Sequence, residues 1–137
     1  DGVKQSAKEE AELPLALAEL ARLLCEARLP RVTAIVGAAI GAGFLLGGAK
    51  TMHADLVLAL PGAQISVLPA SVGVAFLWND RITPECSRKE LEAEWSESSS
   101  AEAAAAVGEV DDIVAPAELR ARILAGLMML RGKRGAL

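Results

Sequence analysis

Aromatic residues make up only 3% of these 137 residues, and tyrosine is absent. There is one histidine, His53, and only two cysteines, Cys25 and Cys86. Without aromatic side chains there is no stacking platform for single-stranded nucleic acid. A net charge of −4 removes the basic footprint that nucleic-acid binding needs. The two cysteines lie far apart with no CxxC spacing, so no metal site is expected. Their usage suits a reducing compartment, the cytoplasm or an organelle matrix. No GxSxG nucleophile motif occurs, and His53 beside Asp55 reads as a loop or surface histidine. There is no signal-peptide pattern. The chain begins at Asp1 rather than at methionine, as a processed or cut product would.

Charge is also missing from one long stretch, Val32 to Ala49, between Arg31 and Lys50. The surrounding sequence is organised about this stretch. Val32 to Val36 is apolar and β-branched and reads as a buried strand. Gly37 to Gly43 reads as a glycine-rich turn, and Phe44 to Ala49 as a helix that begins at the turn. The corner Gly41-Ala42-Gly43 carries side chains no larger than a methyl group. The first N–H groups of a helix have no intrahelical partner and favour negative charge. With nothing large to cover them, they meet the physical requirement for an oxyanion hole. Two other readings compete. The glycines can serve only to let a helix pack close to a sheet. As one helix the stretch would span about 27 Å, near the thickness of a bilayer core. It even has small-xxx-small spacing at Gly37/Gly41 and Gly43/Gly47. Five of its 18 residues are glycine, which disfavours a helix, and the next apolar run is broken by Pro61, Gly62 and Gln64.

The rest of the chain supplies a core. Hydrophobic residues reach 53%, enough for one domain or a piece of one. Asp1 to Glu12 is polar and reads as an exposed lead-in. From Leu13 a helical period places Leu13, Leu17, Leu20 and Leu24 on one face, with Pro14 in the first turn and Pro30 as the stop. Asp55 to Leu60 and Gln64 to Leu68 read as two more strands, joined by a Pro61-Gly62 turn. Pro69 starts a short helix that runs to Trp78. Ser87 with Glu90 and Ser99 with Glu102 form two capping boxes, which predict two short helices about a serine-rich turn, Ser96 to Ser100. Val110 to Val114 is a short strand, and Pro116 opens a last helix with Leu119, Ile123, Leu127 and Leu130 inward. Strands alternating with helices define an α/β protein. The three strands from Val32 onward are expected to be neighbours in one core.

Two segments, RVTAIVGAAIGAGFLLGGAKTMHADLVLALPGAQISVL and VDDIVAPAELRARI, resemble the C-terminal domain of biotin-dependent acyl-CoA carboxyltransferases of the propionyl-CoA carboxylase β type. The resemblance covers about Leu17 to Lys133. It implies a crotonase-like fold of repeated ββα units, of which this chain would hold the later part, over residues 13–137. It also implies that the backbone N–H groups of Ala42 and Gly43, following Gly41, hold the ureido oxygen of biotin. The implied reaction moves a carboxyl group between carboxybiotin on a carrier protein and an acyl-CoA. The implied partners are a carboxyltransferase N-terminal domain or other subunit and a biotin carboxyl carrier protein, in a homo- or hetero-oligomer. No nucleic acid and no membrane span are expected.

This chain departs from the family at three places. Ile40 stands where an aromatic residue is common. Leu45 replaces an acidic residue associated with acyl-chain choice. Pro69-Ala70 replaces a glycine turn. Ile40 and Leu45 are therefore the candidate acyl-specificity residues. Two alternatives stay open: a subunit of a malonate- or glutaconyl-CoA-type decarboxylase, and a non-catalytic assembly subunit of such a complex.

Overall fold

In the computed structural model the described residues are 7–133. They open with a long helix, α1 (Ala7–Glu26). The segment read as a lead-in is thus helical from Ala7; residues 1–6 lie outside the described range. Pro14 falls inside the helix rather than in its first turn, where it removes one backbone donor. The half-buried face is Leu13, Leu17, Ala21 and Leu24. Leu20, expected on that face, is 42% exposed, because a spacing of four residues carries the contact line to Ala21 instead. On the outer face Arg22 bridges Glu19 and Glu26 at 2.8 and 2.6 Å.

Two ββα units follow. The first is β1 (Val32–Ile35), β2 (Ala38–Ile40) and α2 (Ala42–Gly47). The second is β3 (Leu56–Ala59), β4 (Gln64–Ser66) and α3 (Ala70–Leu77). Equivalent strands pair in parallel: Val32 lies opposite Leu56, and Ala38 opposite Gln64. A short strand, β5 (Asp112–Ile113), adds to the far side of β3, giving a sheet of order β1-β3-β5 beside a two-stranded β2-β4 sheet.

This arrangement corrects two expectations. The glycine-rich segment Gly37 to Gly43 is not all turn, since Ala38–Ile40 forms β2. The Gln64 strand is not in the core sheet with the other two; it pairs with β2 in the second sheet. The cause is local. The tight turn at Pro61-Gly62, with Gly62 at φ 80°, takes the chain out of the plane of β3. The N–H of Gln64 then donates to Gly37 O at 3.0 Å, which starts the second ladder.

Three helices complete the chain: α4 (Arg88–Ser98), α5 (Ala101–Ala106) and α6 (Leu119–Met129). The Ser87/Glu90 capping box forms as expected. The second cap is Ser100, not Ser99: the Ser100 hydroxyl accepts from Ala103 N–H at 3.2 Å. Ser99 is buried, and its carbonyl accepts from Ile65 N–H at 2.7 Å, so that residue ties α4 to β4. Pro116 lies ahead of α6, which starts at Leu119. Its packed face centres on Gly126, which is buried, rather than on Leu127, which is 40% exposed. A Cβ on Gly126 would come within 2.5 Å of Leu56 Cδ2, so the missing side chain brings α6 close against β3.

The core lies about β3 and β4. Val57, Ala59, Ile65, Ala101, Ala104 and Val110 are buried together. Charged groups pin the start of the β1-β3 sheet. Arg31 N–H donates to the Asp55 carboxylate, which also receives Lys133, and the Asp111 carboxylate takes both Lys50 and the backbone N–H of Val57. The Arg31 guanidinium donates to Met52 O and Leu24 O, tying α1 to the loop before β3.

Candidate functional site

The corner after β2 forms as the residue types dictate. Gly41 has φ 76° and ψ −160°, a conformation open to glycine and costly for any residue with a Cβ. Its N–H donates to Ser66 O at 3.0 Å, continuing the β2-β4 ladder by one bond. Its carbonyl accepts from Phe44 and Leu45 N–H, both at 3.2 Å, and these are the first intrahelical bonds of α2. Ala42 and Gly43 therefore supply the two N–H groups ahead of those bonds. Both residues are exposed, and a Cβ on Gly43 would meet nothing within 4 Å. Two consecutive backbone donors at an uncovered helix start can hydrogen-bond an oxygen that bears negative charge.

The remaining sequence candidates divide between two recesses. Leu45, half-buried, lines a cavity of about 410 Å³ together with Phe44, Val67, Trp95 and Val107. Ile40 lines a much smaller recess, also bounded by Trp95, with Leu68 and Ala70. The two candidate acyl-specificity residues thus line different recesses. His53 is exposed at the end of a short turn, with φ 62°.

Sequence reasoning missed Trp95. Its Nε1–H donates to the Ser66 hydroxyl at 3.3 Å, its ring meets Trp78 edge-on at 4.9 Å, and Gly73 makes room for it. Arg81 stacks over Trp78 at 4.4 Å and pairs with Glu94. Trp95 thus braces the strand residue that holds Gly41. The only signal in the sequence was that Trp95 is one of two tryptophans. Among the described residues no cluster of three or more His, Cys, Asp or Glu side chains is arranged to bind a metal ion. Nor is any of the described helices long and apolar enough to cross a membrane, and Val32 to Ala49 divides into two strands and a helix.

Parallel strands pairing between successive ββα units, with a helix start at the corner of the first, define a crotonase-like α/β fold in part. The particular branch follows from comparison with known proteins. Residues 5–136 match the carboxyl transferase domain model, and the chain belongs to that family. It is 34% identical over 122 residues to the propionyl-CoA carboxylase carboxyltransferase subunit of Haloferax mediterranei, covering 85% of this chain and 24% of that protein. It is also 34% identical over 114 residues to methylmalonyl-CoA decarboxylase subunit alpha of Propionigenium modestum, covering 80% of this chain and 22% of that one. Among solved structures, a transcarboxylase 12S hexamer with methylmalonyl-coenzyme A bound superposes with a TM-score of 0.88 at 28% identity. It covers 98% of this chain and 26% of that one. The chain therefore spans about a quarter of the length of the relatives it matches.

Proposed function

We propose that this chain provides the biotin-side oxyanion hole of a carboxyltransferase that moves a carboxyl group between carboxybiotin on a carrier protein and an acyl-CoA. The observation that carries the reading is the pair of backbone donors at Ala42 and Gly43, in a chain that belongs to the carboxyl transferase domain family. Carboxybiotin, when bound, supplies the carboxyl group, and its release leaves negative charge on the ureido oxygen. The residues here suit that group: Ala42 and Gly43 are both exposed, and a Cβ on Gly43 would meet nothing within 4 Å.

In this reading Ala42 and Gly43 N–H hydrogen-bond the ureido oxygen, and the bonds strengthen as charge develops. Gly41 sets their direction through its bond to Ser66. No side chain has to gain or lose a proton, so a site in a chain with a single histidine can still be catalytic. Leu45 faces the acyl group, and Ile40 flanks the corner. The acyl-CoA site would be completed by a carboxyltransferase N-terminal domain or another subunit, in an oligomer that also engages a biotin carboxyl carrier protein.

The similarity to a decarboxylase alpha subunit favours one second reading: the same hole working in the opposite direction, from acyl-CoA to biotin. One experiment tests both. The chain, purified with the polypeptides that assemble with it, is given free biotin and either malonyl- or methylmalonyl-CoA, and carboxybiotin is measured. The reverse assay supplies carboxylated carrier and, in turn, propionyl-CoA and octanoyl-CoA. Biotin-dependent transfer in at least one direction is expected. No transfer in either direction by an intact assembly would sink the proposal and leave the non-catalytic role.

A further inference from the structure

Apart from Leu45, the cavity behind α2 has walls that the proposed reaction does not use. Phe44 and Leu45 of α2 form one side, and Ile65 of β4 with Val67 just past it another. The third comes from Trp95 and from Val107, just past α5, both far from the glycine corner in sequence. The volume, about 410 Å³, lies in the range of small-molecule sites, roughly 300–1,000 Å³. A water molecule occupies about 30 Å³ and a methylene group is of similar size, so the space exceeds what a propionyl group fills. Its walls are mainly apolar. Its polar lining is Ser66, which accepts from Trp95, Ser98, which donates to Trp95 O, and Ser99 and Glu109.

The cavity adjoins the proposed site at two residues, Leu45 of α2 and Ser66. Long side chains on a helix lean toward its N-terminus, so Leu45 extends back over the turn that begins at Gly41. Ser66, whose carbonyl holds Gly41, lies on the cavity floor. A chain that starts at a thioester near Ala42 and Gly43 and passes Leu45 therefore enters an apolar recess one helical turn behind the donors.

We infer that the cavity between α2, β4 and the end of α5 receives the distal carbons of a medium-length acyl chain, so that the preferred acyl-CoA is longer than propionyl-CoA. This rests on the acyl-CoA reading above. Each methylene removed from water favours binding by about a factor of four. Even a few carbons seated in the recess would give octanoyl-CoA at least a tenfold advantage over propionyl-CoA.

The test is titration calorimetry of octanoyl-CoA and propionyl-CoA into the assembled protein, with transfer assays on both acyl-CoAs run in parallel. The expected affinity ratio is tenfold or more for the wild type. In Val107→Trp, which fills the mouth from an exposed position, the ratio should fall to about one. Ala103→Leu, placed on the inner wall, should reduce it as well and stands in if Val107→Trp does not assemble. A wild-type ratio near one would overturn the inference, as would a ratio that both variants leave unchanged. Transfer activity with a ratio of one sinks only this inference. A tenfold ratio with no transfer to either octanoyl-CoA or propionyl-CoA sinks only the carboxyltransferase reading.

Discussion

The N–H of Gly41 donates to Ser66 O at 3.0 Å, and this bond joins the corner that precedes α2 to the strand of the next ββα unit. Gly41 can make it only with φ at 76° and ψ at −160°. An added Cβ would have space, its nearest neighbour being Val67 O at 3.8 Å, so the cost of a side chain there is conformational and not steric packing. Gly41→Ala should destabilise the protein by about 1–3 kcal/mol, or else rotate the corner and misdirect the donors. Thermal unfolding of the assembled protein and the transfer assay, measured together, separate the two. A variant unchanged in both would mean the corner is not held as described.

Gly73 and Trp95 are related by contact. A Cβ on Gly73 would lie 2.4 Å from Trp95 Cζ2. The ring is already held by Trp78 and Ser66 and has little room to move. Gly73→Ala should therefore cost about 1–3 kcal/mol in stability, the usual penalty for overpacking. It should also shift the tryptophan emission. Unaltered unfolding and emission would show that α3 and α4 are less closely packed than 2.4 Å implies.

How far the sequence could disclose this fold depended on where the information lay. The apolar run at β1, the DLVLAL run at β3 and the cap at Ser87 are local signals, and each formed where expected. β2 was hidden because Ala38–Ile40 is too short to show alternation and sits among glycines that suggest a turn. The partnering of β4 with β2 depends on a bond between Gln64 and Gly37, and no period within either segment encodes it. At α6 the periodic leucines pointed to Leu127, but the close approach to Leu56 is made by the smallest residue on the helix, Gly126. The glycine corner was legible because helix starts have orphan donors whatever the context. Trp95 and Val107 were not, since only the fold brings them to Leu45.

Leu45 lines the cavity and follows the donor pair by two residues, and the family resemblance implies an acidic residue there in propionyl-type enzymes. Leu45→Asp should shift the preference between acyl-CoA chains at least tenfold toward the shorter, because a carboxylate in an apolar recess opposes burial of more methylenes. Biotin binding should change little. The measurement is kcat/KM for each acyl-CoA alongside KM for biotin. Equal losses for every acyl-CoA would make Leu45 a packing residue and nothing more.

Asp55 gives a pH dependence whose sign can be worked out. Burial pushes its carboxyl up. The Lys133 ammonium and the Arg31 N–H outweigh this, and the carboxyl is held below its ordinary value. A depressed folded-state pKa contributes stability that is fully present above the unfolded value, about 3.9, and is lost as pH falls through the folded one. Asp55→Asn should destabilise the protein at pH 7 by about 1–3 kcal/mol, and should flatten the loss of stability below about pH 4. Unfolding curves recorded from pH 7 down to pH 3 test it. A variant as acid-sensitive as the wild type would assign that sensitivity to other carboxylates.

The two donors can be removed one at a time because of where they stand. Ala42 and Gly43 precede the first intrahelical donors, Phe44 and Leu45, so a proline at either position deletes an N–H that no helical bond uses. Position 42 is the first residue of α2, where proline is favoured. Position 43 is the harder substitution, since proline there disfavours the helical conformation of Ala42. Ala42→Pro and Gly43→Pro should each lower transfer to or from free biotin by roughly two to three powers of ten, the usual consequence of losing one oxyanion donor. Side-chain truncation cannot make this test, since neither donor belongs to a side chain. Each variant has first to show wild-type assembly by sedimentation and an unchanged thermal midpoint. If both assemble and both keep wild-type transfer, the backbone of Ala42 and Gly43 does not hold the reacting oxygen. If only Ala42→Pro retains activity, the hole is built on Gly43 with a donor from elsewhere.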